Sequence, residues 1–503
     1  MMAREDFDCV IIGGGVAGLS AAAYLSKAGL KTILFEKNER LGGVAGTFFL
    51  NGYTFDAGGT PQYDQLQMLK EFGVDKLVEY KPMGDPAIAM YFPKLTIYGP
   101  KEIDDFLAQY RPICNAKALK ELNDILFECT KIDMNKYLKL NQAISESKLR
   151  FLSGLLRSNP FELIKVFNLI IQNTEDWLKK RTVHPDILFT LRFYNALTMM
   201  YPTERTPVLI FVLIMCGLVG KLGGRWHVVK GGNDKFFLAM RAAIEHYGGV
   251  VKPCTAVKKI VIEDEAARGV VLEDGEEIKS RYIISNIGIK GTIKHLVGRE
   301  YFNQKYFKKI ESLKPSPSLF KIHLGINKKP PINTVCNFKI GERDENVWWE
   351  AIDKGYIPEQ PPLLFWCKYL ADPSRAPQGK YDIDILTAAP YRHRDGDWDL
   401  VKQKERDKII AVMEEVIPGI SNQIEFEDVF TPKDMEKYSG HEEAGILPVE
   451  PSVEQLMKFP DISLPIKNLF CIGATVKGGA GVNGAAFTGK LCANKIIKKL
   501  TGL

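Results

Sequence analysis

The sequence predicts an α/β fold in which two domains are interleaved along the chain, and three observations predict it. A buried strand, a glycine-rich turn and a helix follow one another near the N-terminus. A strand, a glycine-rich loop and a helix recur in the last forty residues, and two long insertions of different pattern lie between. Since strand–turn–helix units build parallel sheets, both ends of the chain are expected in one sheet.

The first fifty residues form a predicted βαβ unit. Phe7–Ile12 is a short apolar run, typical of a strand that is buried on both faces. A glycine-rich turn follows, and Ala17–Ala28 is rich in Ala and Leu, which predicts a helix that Gly29 closes. Thr32–Phe35 is a second buried strand. This order is that of a Rossmann-like unit.

The later elements are predicted from apolar runs, periodicity and turn residues. Residues from about 101 to 221 have a mostly helical pattern. The predicted strands are Ala256–Ile262, Gly269–Leu272, Glu277–Ser285, Ser318–Gly325, Leu363–Tyr369, Tyr381–Ala388 and Asn468–Gly473. Three of the predicted helices are one that begins at Gly231 and Gly232 and runs to His246, one over Lys402–Val416 and one over Ala485–Leu500. We predict a nucleotide-binding domain from residues 1–85, 226–300 and 461–503, and an α+β domain with a mixed sheet and helices from residues 86–225 and 301–460.

Composition excludes several classes of protein. Of the 503 residues, 46% are hydrophobic and 25% are charged, which is the soluble globular average and excludes collagen-like and disordered chains. The net charge of +6 is mild, so no nucleic-acid partner is expected. The nine cysteines lack the spacing of a metal site, and we predict no metal and a cytoplasmic location. The longest apolar run, Val208–Gly220, is too short to span a membrane but permits attachment to its inner face.

A dinucleotide fingerprint follows the first strand. Gly13, Gly15 and Gly18 form G-x-G-x-x-G between a buried strand and a helix, and Glu36 follows the second strand. Glycine permits the tight turn and the close approach of a pyrophosphate, which the helix N-terminus binds. Glu36 can accept hydrogen bonds from a ribose and would repel a 2′-phosphate. The alternative, a glycine-rich turn without a ligand, does not explain why the strand, the three glycines, the helix and Glu36 occur together.

A second set of glycines distinguishes a flavin from a nicotinamide cofactor. Gly42 and Gly43 come shortly after Glu36, and Gly58 and Gly59 follow a strand. A flavin, with its ribityl chain and ring beyond the pyrophosphate, needs these additional close approaches of the backbone. The sequence therefore favours FAD.

Several motifs occur in order along most of the chain, at 8–46, Tyr53–Thr60, Trp226–Gly232, Ala256–Ile260, Ile284–Asn286, Asp372–Lys380, Leu469–Ala474 and Gly478–Thr488. Together they resemble those of the FAD-dependent phytoene desaturase, carotenoid isomerase and retinol saturase group of the amine-oxidase-like flavoprotein superfamily. Val229 departs from the family's proline, and Asn483 departs from the proline of its C-terminal loop. The resemblance implies FAD and an apolar substrate. The predicted FAD contacts are Gly13, Gly14, Gly15, Val16, Ala17, Gly18, Glu36, Lys37, Arg40, Gly42, Gly43, Gly58, Gly59, Thr60, Val257, Asn286, Gly473, Ala474, Gly481, Val482, Asn483 and Ala485.

Catalytic residues are harder to assign because a flavin supplies the hydride chemistry itself. Arg225 and His227 precede a helix at the predicted domain junction, where they could act beside the ring, although a salt bridge and a satisfied histidine are simpler interpretations. Lys321 and His323 share one face of a predicted strand, and Lys321 could hold a water near the flavin. A solvated strand face is the expected alternative. His441 is interpreted as part of a polar loop.

The function predicted from these features is that of an FAD-dependent oxidoreductase acting on CH–CH or C=C bonds, or of a reduced-flavin isomerase. Its expected substrate is a long apolar unsaturated molecule such as a carotenoid, retinoid or isoprenoid lipid, with oxygen or a quinone as electron acceptor. A wide apolar arc at 161–171, flanked by basic residues, predicts either a core helix or peripheral membrane contact. A flavin amine oxidase and a non-catalytic prenyl-binding escort protein remain alternatives.

Overall fold

The computed structural model describes residues 7–58, 66–92, 95–99, 102–130, 168–218, 226–341 and 344–501. The strands are β1 Phe7–Ile12, β2 Thr32–Phe35, β3 Thr47–Leu50, β4 Tyr53–Asp56, β5 Tyr80–Pro82, β6 Ile88–Phe92, β7 Leu95–Gly99, β8 His227–Val229, β9 Val250–Lys252, β10 Val257–Glu263, β11 Ala266–Leu272, β12 Glu277–Ser285, β13 Ser318–Ile326, β14 Cys336–Lys339, β15 Leu363–Trp366, β16 Tyr381–Ala389, β17 Ile424–Phe430 and β18 Leu469–Cys471.

The α-helices vary in length from one turn to six. They are Val16–Lys27, Leu66–Phe72, Ile103–Ala108, Ala116–Thr130, Thr174–Lys179, Pro185–Met199, Val208–Leu218, Asp234–His246, Ile289–Gly291, Gln304–Glu311, Glu345–Asp353, Trp398–Glu414, Pro432–Ser439, Val453–Leu456 and Gly481–Thr501. The turn at Ile289–Gly291 continues as a π-helix over Thr292–Val297.

The first sheet joins both ends of the chain, as the sequence predicts. Its strands lie in the order β10-β11-β12-β1-β2-β9, and β18 also pairs with β12. β1 is parallel to both β2 and β12, and β12 is parallel to β18. The helix Val16–Lys27 packs against Gly481–Thr501, where a Cβ on Gly489 would lie 2.3 Å from the carbonyl oxygen of Ala17. The N-termini of both helices therefore lie at the carboxyl edge of this sheet.

The second sheet is mixed and has helices on both faces. Its order is β17-β13-β16-β15-β14-β6-β7, and all its pairings are antiparallel except that of β14 with β6. One face packs under a helical layer that includes Pro185–Met199 and Val208–Leu218, and the other packs against Trp398–Glu414. The α/β fold class is confirmed, whereas the division into domains stays a prediction.

The structure corrects one expectation for β13. Alternation along the strand predicts a solvated face that carries Lys321 and His323, but these residues are 1% and 0% exposed. β13 lies between β17 and β16 and is covered on both faces, so no face of it meets water. Burial of a charged side chain requires partners, which this structure supplies.

Other differences lie at element boundaries. The C-terminal helix begins at Gly481, four residues before the predicted start, so it begins inside the glycine-rich loop. Most of the predicted amphipathic segment 161–171 lies outside the described residues, and its last four residues are helical. Among the helices that the structure describes, none combines the length and apolar character needed to cross a bilayer.

Candidate functional site

The glycine-rich turn lies at the carboxyl end of β1. Gly13 has a φ of +99°, which glycine adopts without strain, and its N–H donates to the Phe35 carbonyl at 2.8 Å. A Cβ on Gly18 would lie 2.1 Å from the Gly13 carbonyl oxygen, so the helix can approach the strand only with glycine there. Gly15 is the N-cap of this helix and has no side-chain cap. The N–H groups of the first turn are thus oriented toward an anion site.

Glu36 holds the shape of this turn from the end of β2. Its buried carboxylate accepts hydrogen bonds from the N–H of Gly14 at 2.7 Å and of Asn38 at 2.9 Å. A carboxylate has about four acceptor positions, so two bonds to the backbone leave capacity for ribose hydroxyls. The N–H of Thr255 donates to the Glu36 carbonyl at 2.8 Å, which places Val257, two residues later, beside the same edge.

The second glycine pair packs directly on the first. The N–H of Gly42 donates to the Gly14 carbonyl at 2.9 Å, and Gly42 has a φ of +111°. A Cβ on Gly42 would lie 2.4 Å from the Phe237 ring. Gly43 accepts a hydrogen bond from the Tyr438 hydroxyl at 3.0 Å. Two glycine turns from different parts of the sequence thus form one side-chain-free surface.

The two basic residues next to the glycine turns, Lys37 and Arg40, contact other groups of the protein. Lys37 donates from Nζ to the Lys437 carbonyl at 3.1 Å. The Arg40 guanidinium lies 3.8 Å from Asp234 and stacks on Phe49 at 4.5 Å. Both residues border the glycine turns, and their predicted contact with FAD stays a prediction.

Asn286 connects the N-terminal and C-terminal glycine loops. Its backbone N–H donates to the Ile12 carbonyl at 2.8 Å, and its Nδ2 donates to the Gly13 carbonyl at 3.3 Å. A Cβ on Gly473 would lie 2.6 Å from its Oδ1, and one on Gly15 would lie 2.9 Å from its Nδ2. Asn286 therefore fills the space between the two loops, and both positions must be glycine.

The C-terminal loop brings a second helix N-terminus to this edge. The N–H of Gly473 donates to Thr488 Oγ1 at 2.9 Å, and Ser20 Oγ donates to the Ala486 carbonyl at 2.8 Å. These bonds hold the start of Gly481–Thr501 beside the first helix. Of the predicted contacts, Ala474 lies in the turn that follows β18, and Val482, Asn483 and Ala485 lie in the first two turns of this helix. Two helix N-termini with unfilled backbone N–H groups favour a pyrophosphate, so the residues fit a dinucleotide.

A buried ionic cluster lies where β4 meets the second sheet. The Asp56 carboxylate pairs with Arg375 at 2.6 Å and with Lys368, and its other oxygen accepts from Thr47 Oγ1 at 3.1 Å. Lys321 donates to the carbonyls of Asp56 and Ala57 and lies 3.1 Å from Asp384. This cluster fixes the end of β4, two residues before Gly58, where a Cβ would lie 2.6 Å from the Val44 carbonyl. Gly59 and Thr60 lie outside the described residues.

Burial and mutual attraction shift the pKa values in this cluster in different directions. Burial raises the pKa of Asp56, but the cations of Arg375 and Lys368 outweigh it and hold the pKa well below its usual range. Burial lowers the pKa of Lys321. Burial raises the pKa of the neighbouring Asp382 to about 6. The hydrogen bonds of Lys321 to the carbonyls of Asp56 and Ala57 hold its side chain against the backbone just before Gly58.

The remaining catalytic candidates are His227 and Arg225. His227 begins β8, where it lies opposite Pro82 at the edge of a two-stranded sheet. Arg225 lies outside the described residues. The sequence analysis missed Asp56 and Asp384 as partners of Lys321, and Lys368 as a partner of Asp56. A possible signal was the charged residues inside otherwise apolar strands, because a charge in a buried strand needs a counter-charge.

Comparison with known proteins identifies the family. Residues 16–497 match the family of flavin-containing amine oxidoreductases. The chain belongs to this family. FAD is therefore its cofactor, which confirms the sequence prediction of a flavin-dependent oxidoreductase.

Curated relatives match nearly the whole chain. A chloroplastic prolycopene isomerase of Daucus carota is 25% identical over 525 positions, which cover 99% of this chain and 81% of the relative. A 4,4′-diaponeurosporene oxygenase of Staphylococcus haemolyticus is 24% identical, with 97% of this chain and 96% of the relative covered. Both relatives are consistent with the carotenoid-type group that the sequence motifs resemble.

Solved structures confirm the fold. An oxidoreductase from Methanosarcina mazei superposes with a TM-score of 0.68 at 17% identity, covering 97% of this chain and 100% of that chain. Cyclohexylamine oxidase from Brevibacterium oxydans has a TM-score of 0.61 at 14% identity, with 99% and 100% covered. At these identities the likeness is one of fold alone.

Proposed function

We propose that this flavoprotein oxidises, reduces or isomerises a long apolar polyene of the carotenoid type. The proposal rests on the alignment of nearly the whole chain with a prolycopene isomerase and a 4,4′-diaponeurosporene oxygenase, whose names refer to such polyenes. The helical layer over the second sheet supports it. The helix Val208–Leu218 contains no charged residue, and burial of each CH₂ of a ligand among such side chains contributes about 0.8 kcal/mol.

The residues of the site have separable tasks in this function. Bound FAD supplies hydride transfer, which polyene desaturation and saturation both need. The two helix N-termini and the glycine turns would hold the pyrophosphate, and Glu36 would hold the ribose. The cluster around Asp56 keeps the strand before Gly58 in place. The protein's part is therefore to position the cofactor and to hold the polyene among apolar side chains, away from water.

An anaerobic reaction of the purified holoenzyme tests this proposal. Conjugated polyene hydrocarbons are added in detergent to the oxidised enzyme and to the dithionite-reduced enzyme, and flavin and polyene absorbance are followed together. We expect flavin bleaching in the oxidised enzyme, or a polyene spectral shift that needs the reduced one. The Gly15→Val variant, without FAD, is the matched control. If amines bleach the flavin and the polyenes react in neither redox state, the protein is an amine oxidase instead. If the purified protein has no flavin, the escort-protein alternative replaces both.

The electron acceptor is proposed to be oxygen or a quinone, because the sequence contains one dinucleotide fingerprint. Stopped-flow reoxidation of the reduced enzyme by air-saturated buffer and by a soluble quinone compares the two. The faster reaction at physiological concentration identifies the acceptor, and reoxidation by neither contradicts the proposal.

We also propose a peripheral contact with the cytoplasmic face of a membrane, from which a polyene could enter. Among the described residues, Phe127, Ile171 and Val183 are 54%, 46% and 75% exposed. The Glu128–Arg181 ion pair, at 3.0 Å, brings the neighbourhoods of Phe127 and Val183 together. Exposed apolar side chains beside basic ones are typical of an interfacial surface.

Sedimentation with anionic liposomes tests this contact. We expect the wild type to bind at low salt and to dissociate as salt rises. A Phe127→Ser/Val183→Ser variant should bind less. Leu400→Ser removes a side chain that is 80% exposed in another part of the chain and should not alter binding. If the wild type never sediments at low salt, the contact does not exist.

A further inference from the structure

A tyrosine from a distant part of the chain lies against the second glycine turn. The Tyr438 hydroxyl donates to the Gly43 carbonyl at 3.0 Å, across 395 residues of sequence. A Cβ on Gly46 would lie 2.8 Å from the same hydroxyl, so the turn passes close to it at two points. Tyr438 belongs to a helix that packs with the second sheet, and it brings this helix into contact with the dinucleotide turns.

The surrounding structure holds Tyr438 in place. Its helix, Pro432–Ser439, follows β17 and begins with a capping box, in which Thr431 and Asp434 each bind the backbone of the other. The Tyr438 ring lies 5.1 Å from the ring of Phe48 on β3. The hydroxyl therefore reaches the turn from an anchored helix and has little freedom to move away.

The hydroxyl is also a permanent donor at neutral pH. Burial raises the pKa of Tyr438 to about 12, and the nearby carboxylates of Glu36 and Asp234 add to this effect against the lowering influence of Arg40. The phenol thus keeps its single proton, which it donates to Gly43.

Both acceptor positions of the Gly43 carbonyl are filled. One receives the Tyr438 hydroxyl, and the other receives the Gly46 N–H at 2.9 Å. Because a trans peptide is planar, the N–H of Val44 points to the side opposite to these donors. In the part of the chain that the structure describes, no group accepts a hydrogen bond from this N–H. Val44 is 44% exposed, so this part of the turn borders open space.

The chain itself does not fix the orientation of this peptide. Gly42 and Gly43 have φ values of +111° and +55°, and without side chains the peptide after Gly43 can rotate at little steric cost. Rotation would replace the Val44 N–H with a carbonyl oxygen. A Cβ on Gly43 would lie 3.5 Å from the Cα of Gly15, beside the predicted pyrophosphate position. An N–H attracts a phosphate there, whereas a carbonyl oxygen repels it.

We propose that Tyr438 is a positioning residue for the pyrophosphate of FAD. Its hydroxyl holds the Gly43–Val44 peptide so that the N–H, and not the carbonyl oxygen, is presented to the phosphate. A residue of the helix that follows the second sheet thereby completes a binding site that the first sheet builds. This inference concerns the cofactor and does not depend on which substrate the enzyme takes.

Two single-atom variants test the proposal. Tyr438→Phe retains the ring on Phe48 and removes the hydroxyl. Tyr391→Phe is the matched control, because the Tyr391 hydroxyl donates to Glu436 on the same helix. The full-length wild type and both variants, after removal of flavin, are titrated with FAD, with ADP and with adenosine. Thermal midpoints of the deflavinated chains and absorption spectra of the reconstituted holoenzymes are recorded beside these affinities.

We expect Tyr438→Phe to weaken the binding of FAD and of ADP by the same factor, about fivefold, which is the effect of one neutral hydrogen bond. Adenosine carries no phosphate, so its affinity should stay that of the wild type. The flavin spectrum should also be unchanged, and the thermal midpoint should shift no more than in Tyr391→Phe. Tyr391→Phe should bind all three ligands as the wild type does.

Four results would overturn the proposal. ADP affinity that is unaltered in Tyr438→Phe, with FAD affinity unaltered as well, means that the hydroxyl has no part in binding. A loss for FAD alone places its effect at the flavin end, and an equal loss for adenosine places it at the ribose. Equal losses in Tyr438→Phe and Tyr391→Phe indicate that only helix packing matters. No substrate enters these measurements, so their failure is distinguishable from failure of the proposed function.

Discussion

A buried carboxyl group in the helical layer provides a sharp test of the electrostatics of this structure. Glu345 is the first residue of the helix Glu345–Asp353 and is 7% exposed. Its Oε2 accepts a hydrogen bond from Thr203 Oγ1 at 3.1 Å. Burial raises the pKa of Glu345 from its ordinary 4.5 to about 7, against the lowering effect of that hydrogen bond. The folded protein therefore holds a proton here that the unfolded chain has released.

The sign and magnitude of the effect follow from proton linkage. Because the folded pKa is the raised one, the protonated carboxyl contributes its full stability below about pH 4.5, and this is lost as pH rises to about 7. A difference of about 2.5 pH units corresponds to about 3 kcal/mol. Glu345→Gln is neutral at every pH. We expect it to match the wild type near pH 4.5 and to exceed it by up to about 3 kcal/mol at pH 8.

Urea unfolding at pH 5 and pH 8 measures this difference. Trp348 and Trp349 lie on the same helix and are buried, so tryptophan fluorescence reports on this region. Glu350→Gln is the control, because Glu350 lies on the same helix but is exposed, and its effect should not depend on pH. If the advantage of Glu345→Gln over the wild type is the same at both pH values, the carboxyl group is ionised in the folded protein and the reasoning is wrong.

Three shorter predictions concern the cofactor and the ionic cluster. Gly15→Val should abolish flavin content because its side chain would meet Asn286 and the pyrophosphate position, whereas Gly73→Asn, at a φ of +72° in open space, should leave the absorbance of bound flavin unchanged. Acid precipitation should release all yellow colour, because no Cys or His lies within 478–484, and colour retained by the pellet would contradict non-covalent binding. Arg375→Met should lower the free energy of unfolding by about 3 kcal/mol by leaving Asp56 under-compensated, and adding Asp56→Asn should recover part of this loss in urea titrations.

The dinucleotide turn could be predicted from the sequence because its determinants are local. A buried strand, three glycines and a helix lie within about twenty residues, and each glycine has a steric reason that depends on its immediate neighbours. The role of Glu36 in binding the ribose could be predicted from its position after the second strand. What the motif could not reveal is that the Glu36 carboxylate also holds the N–H of Gly14, because that bond depends on how the turn folds.

The site beyond the turn depends on contacts between distant segments, and sequence patterns do not contain them. The alternation in β13 is real, but the prediction that its polar side chains meet water needs an open sheet face, and strands from elsewhere in the chain close it. Lys321 is separated by 265 residues from Asp56, to whose carbonyl it donates. Similarly, His441 belongs to a polar stretch in sequence, and its placement against Gly288 arises only in the folded chain.

The segment around Arg375 suggests why so many charges are buried at this junction. Asp372 accepts a hydrogen bond from the Gly231 N–H at 2.7 Å, and Arg375 donates to the Val229 carbonyl at 3.3 Å and to Asp56 at 2.6 Å. One short segment thus binds both the start of the helix that packs on the first sheet and the strand that leads to Gly58. An apolar contact would bury these surfaces equally well but would allow them to slide, since hydrophobic attraction is non-directional. Charge-assisted hydrogen bonds fix distance and direction, so β4 and the second sheet are held in a fixed relative position.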